Sequence, residues 1–403
     1  MVALLLVVAA LNYLDRVMLT TMRASLVGAI PMTDATFGLL TSVFLWTYAC
    51  MSPVGGFLAD RVSRSKVIIG SLFLWSTATW LTAHASTANE LLFTRGLMGF
   101  SEACYIPAAL ALIADYHPGR TRALATGLHM IGISVGQGLG GLGGWLAERH
   151  DWTYAFSLFG GIGVAYSVLL AFTLRDVPSL RADGSGPERP PVKFVPALMS
   201  LAASPSYGLA LAYWGLLAVA GWAVIGWLPT LLGERFHLSQ GTAGLSATGY
   251  LQPAVWIGLL IGGVWSDHWS RTHPRGRIFV PVIGLGVAAP SIFFAVNAAT
   301  FWMTIAAFML WALSSAFANA NMMPILCSIV EERYRATGYG VLNLCSCTIG
   351  GLTIYIGGAL RDAQIEVGII FECAAMVTII CAGLLACITP RPGTVLEKTS
   401  GTS

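Results

Sequence analysis

Apolar stretches of about 20 residues recur along the whole chain with short polar breaks between them. Each is long enough to cross about 30 Å of hydrocarbon as a helix rising about 1.5 Å per residue. In lipid every backbone N–H and C=O needs a partner inside its own segment or in a closed barrel, and strand-period alternation is absent, so helices are the reading. The composition agrees: 56% of the 403 residues are hydrophobic and only 10% are charged, against roughly a quarter charged in a soluble domain. We expect an all-α integral membrane protein. Twelve spans are predicted, at about 2–28, 35–59, 66–84, 89–116, 121–147, 153–174, 206–233, 241–266, 277–296, 300–329, 336–360 and 367–388.

Basic residues alternate between the loops. One side carries Arg61, Arg64 and Lys66, then Arg120 and Arg122, the run from Arg175 to Lys193, Arg271, Arg275 and Arg277, Arg333 and Arg335, and finally Arg391 and Lys398. The other side carries only Arg149, Arg235 and Arg361. The positive-inside rule then places both termini in the cytoplasm, with the chain multi-pass in the cell's inner (plasma) membrane. The net charge of +3 reflects this topology. A nucleic-acid partner is not expected, because no basic face combines with stacking aromatics outside the membrane. All eight cysteines fall in spans and are expected to be unpaired packing residues, with no metal site. The first apolar run continues into Asp15 without a small-residue cleavage site, so no cleavable signal peptide is expected. Because the chain starts abruptly at a span, a short cytoplasmic leader is expected to be missing ahead of it.

The longest polar interruption contains "RADGSGPERPPVK" and reads as a linker. The predicted organisation is a six-helix bundle over 1–175, a cytoplasmic linker over 176–204, a second six-helix bundle over 205–389 and a cytoplasmic tail over 390–403. "GFLADRVSRSK" from Gly56 aligns with "GVWSDHWSRTHPRGR" from Gly263 when Asp60 is set on Asp267, and "RALATG" from Arg122 matches "RATGYG" from Arg335. The halves thus read as a repeat, as in transporters that hold substrate near the midplane.

Charges inside spans are costly, about 2.5–3.5 kcal/mol each on insertion scales, so those retained usually face a cavity or a partner. At about 100° per residue, Asn12, Arg16, Thr20 and Arg23 share one stripe of the first span, with Tyr13 at its edge and Asp15 about 100° away. A guanidinium at such a place suits bidentate capture of a carboxylate. The alternative is that Arg16 pairs permanently with an acid such as Glu102 and supports packing. Arg23, nearer the outer end, reads equally as an interfacial or gating salt bridge. In the fourth span Arg95, Gly99 and Glu102 share a stripe, and Gly99 permits close approach. A poorly hydrated cavity favours a neutral carboxyl and an adjacent arginine favours the ionised one, so Glu102 reads as a proton site that substrate can control through Arg16. Asp15 is the rival proton site. Tyr48, Gln137, Gln252, Asn319 and Asn343 are candidate cavity residues. Tyr213 and Trp214 offer aromatic faces suited to a sugar-like body, although aromatics in spans also serve as packing or interface anchors.

These motifs, taken in order, resemble the major facilitator superfamily over essentially the whole chain. "GFLADRVSRSK" is similar to its G-x-L-A-D-R-x-G-R-[RK] loop, with Ser63 in place of the second glycine. "RGLMGFSEACYIP" resembles its fourth-span motif, and "DWTYAF" the W-R-x-x-F opening of its sixth span. "NYLDR", "GFSEACYIPAALALIADYHPGRTRA" and "WLPTLL" look most like two branches. One is the anion:cation symporter family, which includes sialic acid, hexuronate and galactonate carriers; the other is the Spinster-like group, associated with lipid-like substrates. The acid of the fourth span usually sits in G-E-G in the first branch, whereas here Ser101 and Ala103 flank Glu102. The resemblance implies two pseudo-symmetric six-helix bundles in the major facilitator fold. It implies carboxylate binding at Arg16, and in the Spinster-like branch coupling at the first-span aspartate, here Asp15. It further implies a cytoplasmic latch of Asp60, Arg61, Arg64, Asp115, Arg122, Asp267 and Arg335.

The expected function is proton-coupled symport of a small organic anion, a sugar acid or other carboxylate, by alternating access. A Spinster-like carrier of lysolipid or another amphiphile is the second reading, and a non-transporting sensor or scaffold the third. No enzyme activity and no cofactor are expected; H+ is the expected coupling ion, with Na+ left open. The expected partners are the solute and the bilayer, and the expected state is a monomer. An ATP-driven pump is disfavoured because the sequence has no G-x-x-x-x-G-K-[ST] phosphate loop.

Overall fold

The structure is a computed structural model that describes residues 1–117, 121–176, 194–273 and 275–390. Among the described residues all regular structure is helical. The helices are α1 (Val2–Thr21), α2 (Arg23–Ala29), α3 (Asp34–Arg61), α4 (Arg64–Thr82), α5 (Ala88–Glu102), α6 (Tyr105–Tyr116), α7 (Arg122–Leu139), α8 (Gly141–Arg149) and α9 (Trp152–Thr173). They continue with α10 (Phe194–Ala202), α11 (Pro205–Phe236), α12 (Gln240–Gly249), α13 (Leu251–Ser270), α14 (Gly276–Asn297), α15 (Phe301–Ile329), α16 (Arg335–Asp362) and α17 (Val367–Ala386). Ten helical segments are long and apolar enough to cross a membrane among the described residues. Two further predicted spans fall outside that set. In α4 the apolar run is diluted by Arg64, Lys66, Ser71, Ser76 and Thr77, and the α7–α8 segment is rich in glycine.

Four spans predicted as continuous are broken in the structure, at Met22, at Ala103–Cys104, at Gly140 and at Tyr250. Two of these breaks follow from proline. Pro107 and Pro253 cannot donate a backbone hydrogen bond, and each ring crowds the carbonyl four residues earlier, at Ala103 and Gly249. The sequence places linker from 176 to 204, yet α10 occupies its end, with Ala197 and Leu201 buried against Tyr207, Ile329 and Tyr334. Burial of those small and aliphatic side chains outweighs the local Pro and Ser content. The earlier part of the linker, with Arg181, Arg189 and Lys193, lies outside the described residues, as do Arg120 and the tail from 391 with Lys398.

Packing divides the chain into two compact units. One comprises Met1–Glu188, Trp222–Gln252 and Gly350–Val367; the other comprises Arg189–Gly221, Pro253–Ile349 and Gly368–Ser403. In the first, α1 packs on α7, α4 on α9, α3 on α5 and α12 on α8. Its main apolar cluster joins Leu5, Val8, Ile68, Trp75, Tyr105 and Leu112. In the second, α14 packs on α15, and Tyr213, Ile278, Leu285, Leu326 and Leu385 share a core. None of the eight cysteines is joined in a disulfide.

Candidate functional site

The site lies inside the first unit, where α1 and α5 bring four ionisable side chains together. Arg16 Nε donates to Glu102 Oε2 at 2.7 Å, and the two side chains are 6% and 0% exposed. Neither therefore faces lipid. The pair is made through one edge of the guanidinium only; Arg16 Nη2 is buried and has no hydrogen-bond acceptor in the protein. Three rings surround the same guanidinium, those of Tyr13 at 4.7 Å, Phe44 at 5.1 Å and Tyr48 at 4.4 Å from Cζ to ring centroid. Each such contact is worth about 0.5–2 kcal/mol, so the arginine keeps a cationic berth even when its hydrogen bond is broken.

Arg95 is fully buried one face away. Its Nη1 donates to the Asp15 carbonyl at 3.4 Å and lies 3.4 Å from Met98 Sδ, and its Cζ is 5.1 Å from the Phe44 ring. Nε and Nη2 of Arg95 have no acceptor in the protein. The Asp15 carboxylate, 1% exposed, accepts from Thr79 Oγ1 at 3.3 Å. Asn12 is buried one turn before Arg16. α3 and α5 approach closely enough for this because Gly99 has no side chain: a Cβ there would run into Thr47 and the Phe44 carbonyl.

The remaining predicted residues are more dispersed. Thr20 is buried and donates to its own helix at the Val17 carbonyl, 2.8 Å away. Gln137 and Gln252 are half-buried in the first unit. Arg23 pairs with Asp34 at the opposite end of α1 from the basic loops. In the second unit Tyr213 is buried with its ring against Trp214, Asn343 Oδ1 lies 4.0 Å from Cys347 Sγ, and Asn319 is exposed. His129 is fully buried with its ring against Tyr105. Sequence reasoning missed Phe44, which contacts both buried arginines, and Thr79. Phe44 and Tyr48 sit four residues apart on one helical face, the spacing that could have joined them.

At the basic ends Arg64 pairs with Asp115, Arg61 lies over the Phe57 ring and Arg122 is exposed. Asp267 bonds Arg277 at 2.9 Å, and Arg335 donates to the Cys327 carbonyl at 3.3 Å. The Asp60 side chain lies outside the described residues. Ser63, where the motif has glycine, caps α4 and donates to Asp176, whose other oxygen takes the Ser65 amide and hydroxyl, both at 2.8 Å. Partial burial works to raise the Asp176 carboxyl, but the bonds from Ser63 and Ser65 outweigh it and hold the group below its usual range. A depressed carboxylate stabilises the fold above the ordinary Asp range and loses that contribution as pH falls through it. Asp176→Asn should lower the unfolding temperature by about 1–2 °C at neutral pH, and the deficit should shrink as pH is taken down through and below the ordinary Asp range, measured by intrinsic fluorescence.

With the geometry in place, three comparisons bear on it. Residues 5–354 match the model of the Major Facilitator Superfamily. Protein spinster homolog 1 of Bos taurus is 28% identical over 316 residues, 74% of this chain and 60% of that protein, so the chain spans less than two thirds of that relative's length. The solved structure of a bacterial homolog to the human lysosomal transporter Spinster, inward-facing and unoccupied, superposes with a TM-score of 0.77 at 22% identity, covering 96% of this chain and 94% of that one. A nucleoside transporter structure gives 0.75 at 14% identity over 96% and 99%. The likeness to Spinster falls on the second of the two branches to which the sequence motifs point.

Proposed function

This chain belongs to the Major Facilitator Superfamily, and on that premise we propose that it is a secondary active transporter that couples an organic anion to protons through Arg16 and Glu102. It is a multi-pass membrane transporter with the fold of that superfamily. In the reading offered here both termini are cytoplasmic, the membrane is the plasma membrane and the protein works as a monomer. The observation that carries the reading is the half-used guanidinium of Arg16: one nitrogen engages Glu102, while a second buried nitrogen has no acceptor.

A solute carboxylate arriving at Arg16 offers two oxygens to a planar fork of donors. As the guanidinium turns onto it, Glu102 loses its counter-charge in a site from which water is largely excluded. An isolated buried carboxylate is costly, so Glu102 takes a proton. Release of the anion returns Arg16 to Glu102 and expels the proton. Substrate and proton thus favour each other's binding, which is the linkage a symporter needs. Asp15, beside Arg95 and Thr79, is the alternative proton carrier. Asp60, Arg61, Arg64, Asp115, Arg122, Asp267 and Arg335 at the basic ends would serve as the cytoplasmic latch.

A second reading, an amphiphile as cargo, is favoured by one feature. A cavity of about 520 Å³ between α3 and α5 is lined by Trp46, Met51, Phe93, Leu97 and Phe100, apolar side chains that suit an acyl chain. Proteoliposomes under an inward proton gradient separate the readings. A labelled hexuronate or hexonate should accumulate above equilibrium; accumulation of lysolipid instead would select the second reading, and accumulation of neither would remove both.

A further inference from the structure

The start of α2 and the ends of α3, α11 and α16 furthest from the basic loops carry charges that neither substrate nor proton binding uses. Arg361 donates through Nε to Asp34 Oδ2 at 3.0 Å and embraces Glu234 with both terminal nitrogens, at 3.0 and 2.6 Å. Asp34 also takes the guanidinium of Arg23, which lies 4.0 Å from Glu234 as well. Asp362 accepts the first backbone amides of α3, Asp34 N at 2.8 Å and Ala35 N at 3.0 Å. An acid at a helix N-terminus satisfies donors that have no partner within the helix. Residues 23 and 34 come from the first half of the sequence, and 234, 361 and 362 from the second; all five belong to the first packing unit.

The helices that supply the partners end alike. α11 and α16 both close one turn later with a left-handed residue, His237 at φ 50° and Gln364 at φ 63°. In each, the following amide reaches back five residues, Leu238 N to Gly233 O and Ile365 N to Leu360 O, at 3.1 and 3.0 Å. That closure fixes the helix terminus and with it the reach of Glu234 and Arg361. Directly beside the cluster is a cavity of about 180 Å³, bordered by Thr20, Thr21, Arg23, Thr230, Glu234 and Gln240. It falls below the ~300 Å³ at which small-molecule sites begin. It is therefore not read as a second binding site.

We propose that Arg23, Asp34, Glu234 and Arg361, with Asp362 as a cap, form the outer gate of this transporter, closed in this structure, with Asp34 as the shared acid on which both arginines depend. Opening the path from outside requires Arg361 to release Asp34, Arg23 to release Glu234 and Asp362 to release the first amides of α3, and loss of Asp34 leaves the guanidiniums of Arg23 and Arg361 with Glu234 alone between them. The inference rests on the membrane orientation proposed above, and not on the identity of the cargo.

The test is labelling of Thr230→Cys in intact cells with a membrane-impermeant maleimide, scored by peptide mass spectrometry so that the native cysteines are counted separately. Adding Asp34→Asn or Arg361→Gln should speed labelling about tenfold, and Arg361→Lys should stay within about threefold of the parent. Size-exclusion profiles matching the parent establish that the variants fold. Equal rates in all variants would overturn the gate, as would Arg361→Lys labelling as fast as Arg361→Gln, which would make helix packing and not charge the barrier. Labelling confined to permeabilised cells in every variant would overturn it through the orientation. No substrate is present in this assay, so failed anion uptake leaves its result standing.

Discussion

Arg16→Lys should reduce proton-driven uptake of the anion by at least about tenfold, the equivalent of losing one charge-assisted hydrogen bond of about 1.5–3 kcal/mol. Lysine keeps the positive charge and the Glu102 partner, so the pair and the fold should survive. What lysine lacks is the second, coplanar donor, which in Arg16 is Nη2, buried and without an acceptor in the protein. It also lacks the flat face that lies against Tyr13, Phe44 and Tyr48. The loss should therefore appear in kcat/KM for uptake while the unfolding temperature stays close to that of the parent. Unchanged uptake would mean that Arg16 is a packing residue paired for good with Glu102.

The second large effect concerns coupling. Glu102→Gln should abolish accumulation against a gradient while leaving substrate counterflow within about threefold of the parent, because exchange needs the binding site but no net proton movement. The glutamine oxygen can still accept from Arg16 Nε in the position that Glu102 Oε2 now occupies at 2.7 Å. Asp15→Asn is the necessary comparison. Asp15 is held by Thr79 and lies on Arg95 through its carbonyl, and neither contact involves Arg16. Accumulation should survive Asp15→Asn; the reverse pattern would transfer the proton to Asp15 and leave Glu102 as a partner of Arg16 alone.

The parts of this account that could be read in the sequence are those that the bilayer constrains most. Hydrocarbon permits one backbone solution for an isolated segment, so span limits such as 153–174 and 277–296 fall within a residue or two of the helices Trp152–Thr173 and Gly276–Asn297. A buried charge is too costly to be incidental, so the stripe through Asn12 and Arg16 is legible as an inward face, and both residues are buried. The breaks at Ala103–Cys104 and Tyr250 are local, yet each precedes its proline by two intervening residues and is hidden inside a largely apolar run. Of the outer cluster only Arg23 could be read, as an interfacial or gating salt bridge, and the rest was illegible for a different reason. Asp34 and Arg361 lie 327 positions apart, and each alone looks like a solvated charge at a loop. Only the fold makes them neighbours. Phe44 escaped notice because an aromatic in a span is usually packing, and nothing in one sequence says that two guanidiniums will lie against it.

The central claim is that anion binding draws Arg16 from Glu102 and that the acid then takes a proton. Proton uptake on binding tests this most directly: weakly buffered purified protein with a pH indicator, titrated with a hexuronate that it transports. The expected result is about one proton taken up per anion bound in the parent, and none in Glu102→Gln at the same occupancy. Binding without proton uptake in the parent, or equal uptake in Glu102→Gln, would contradict the account.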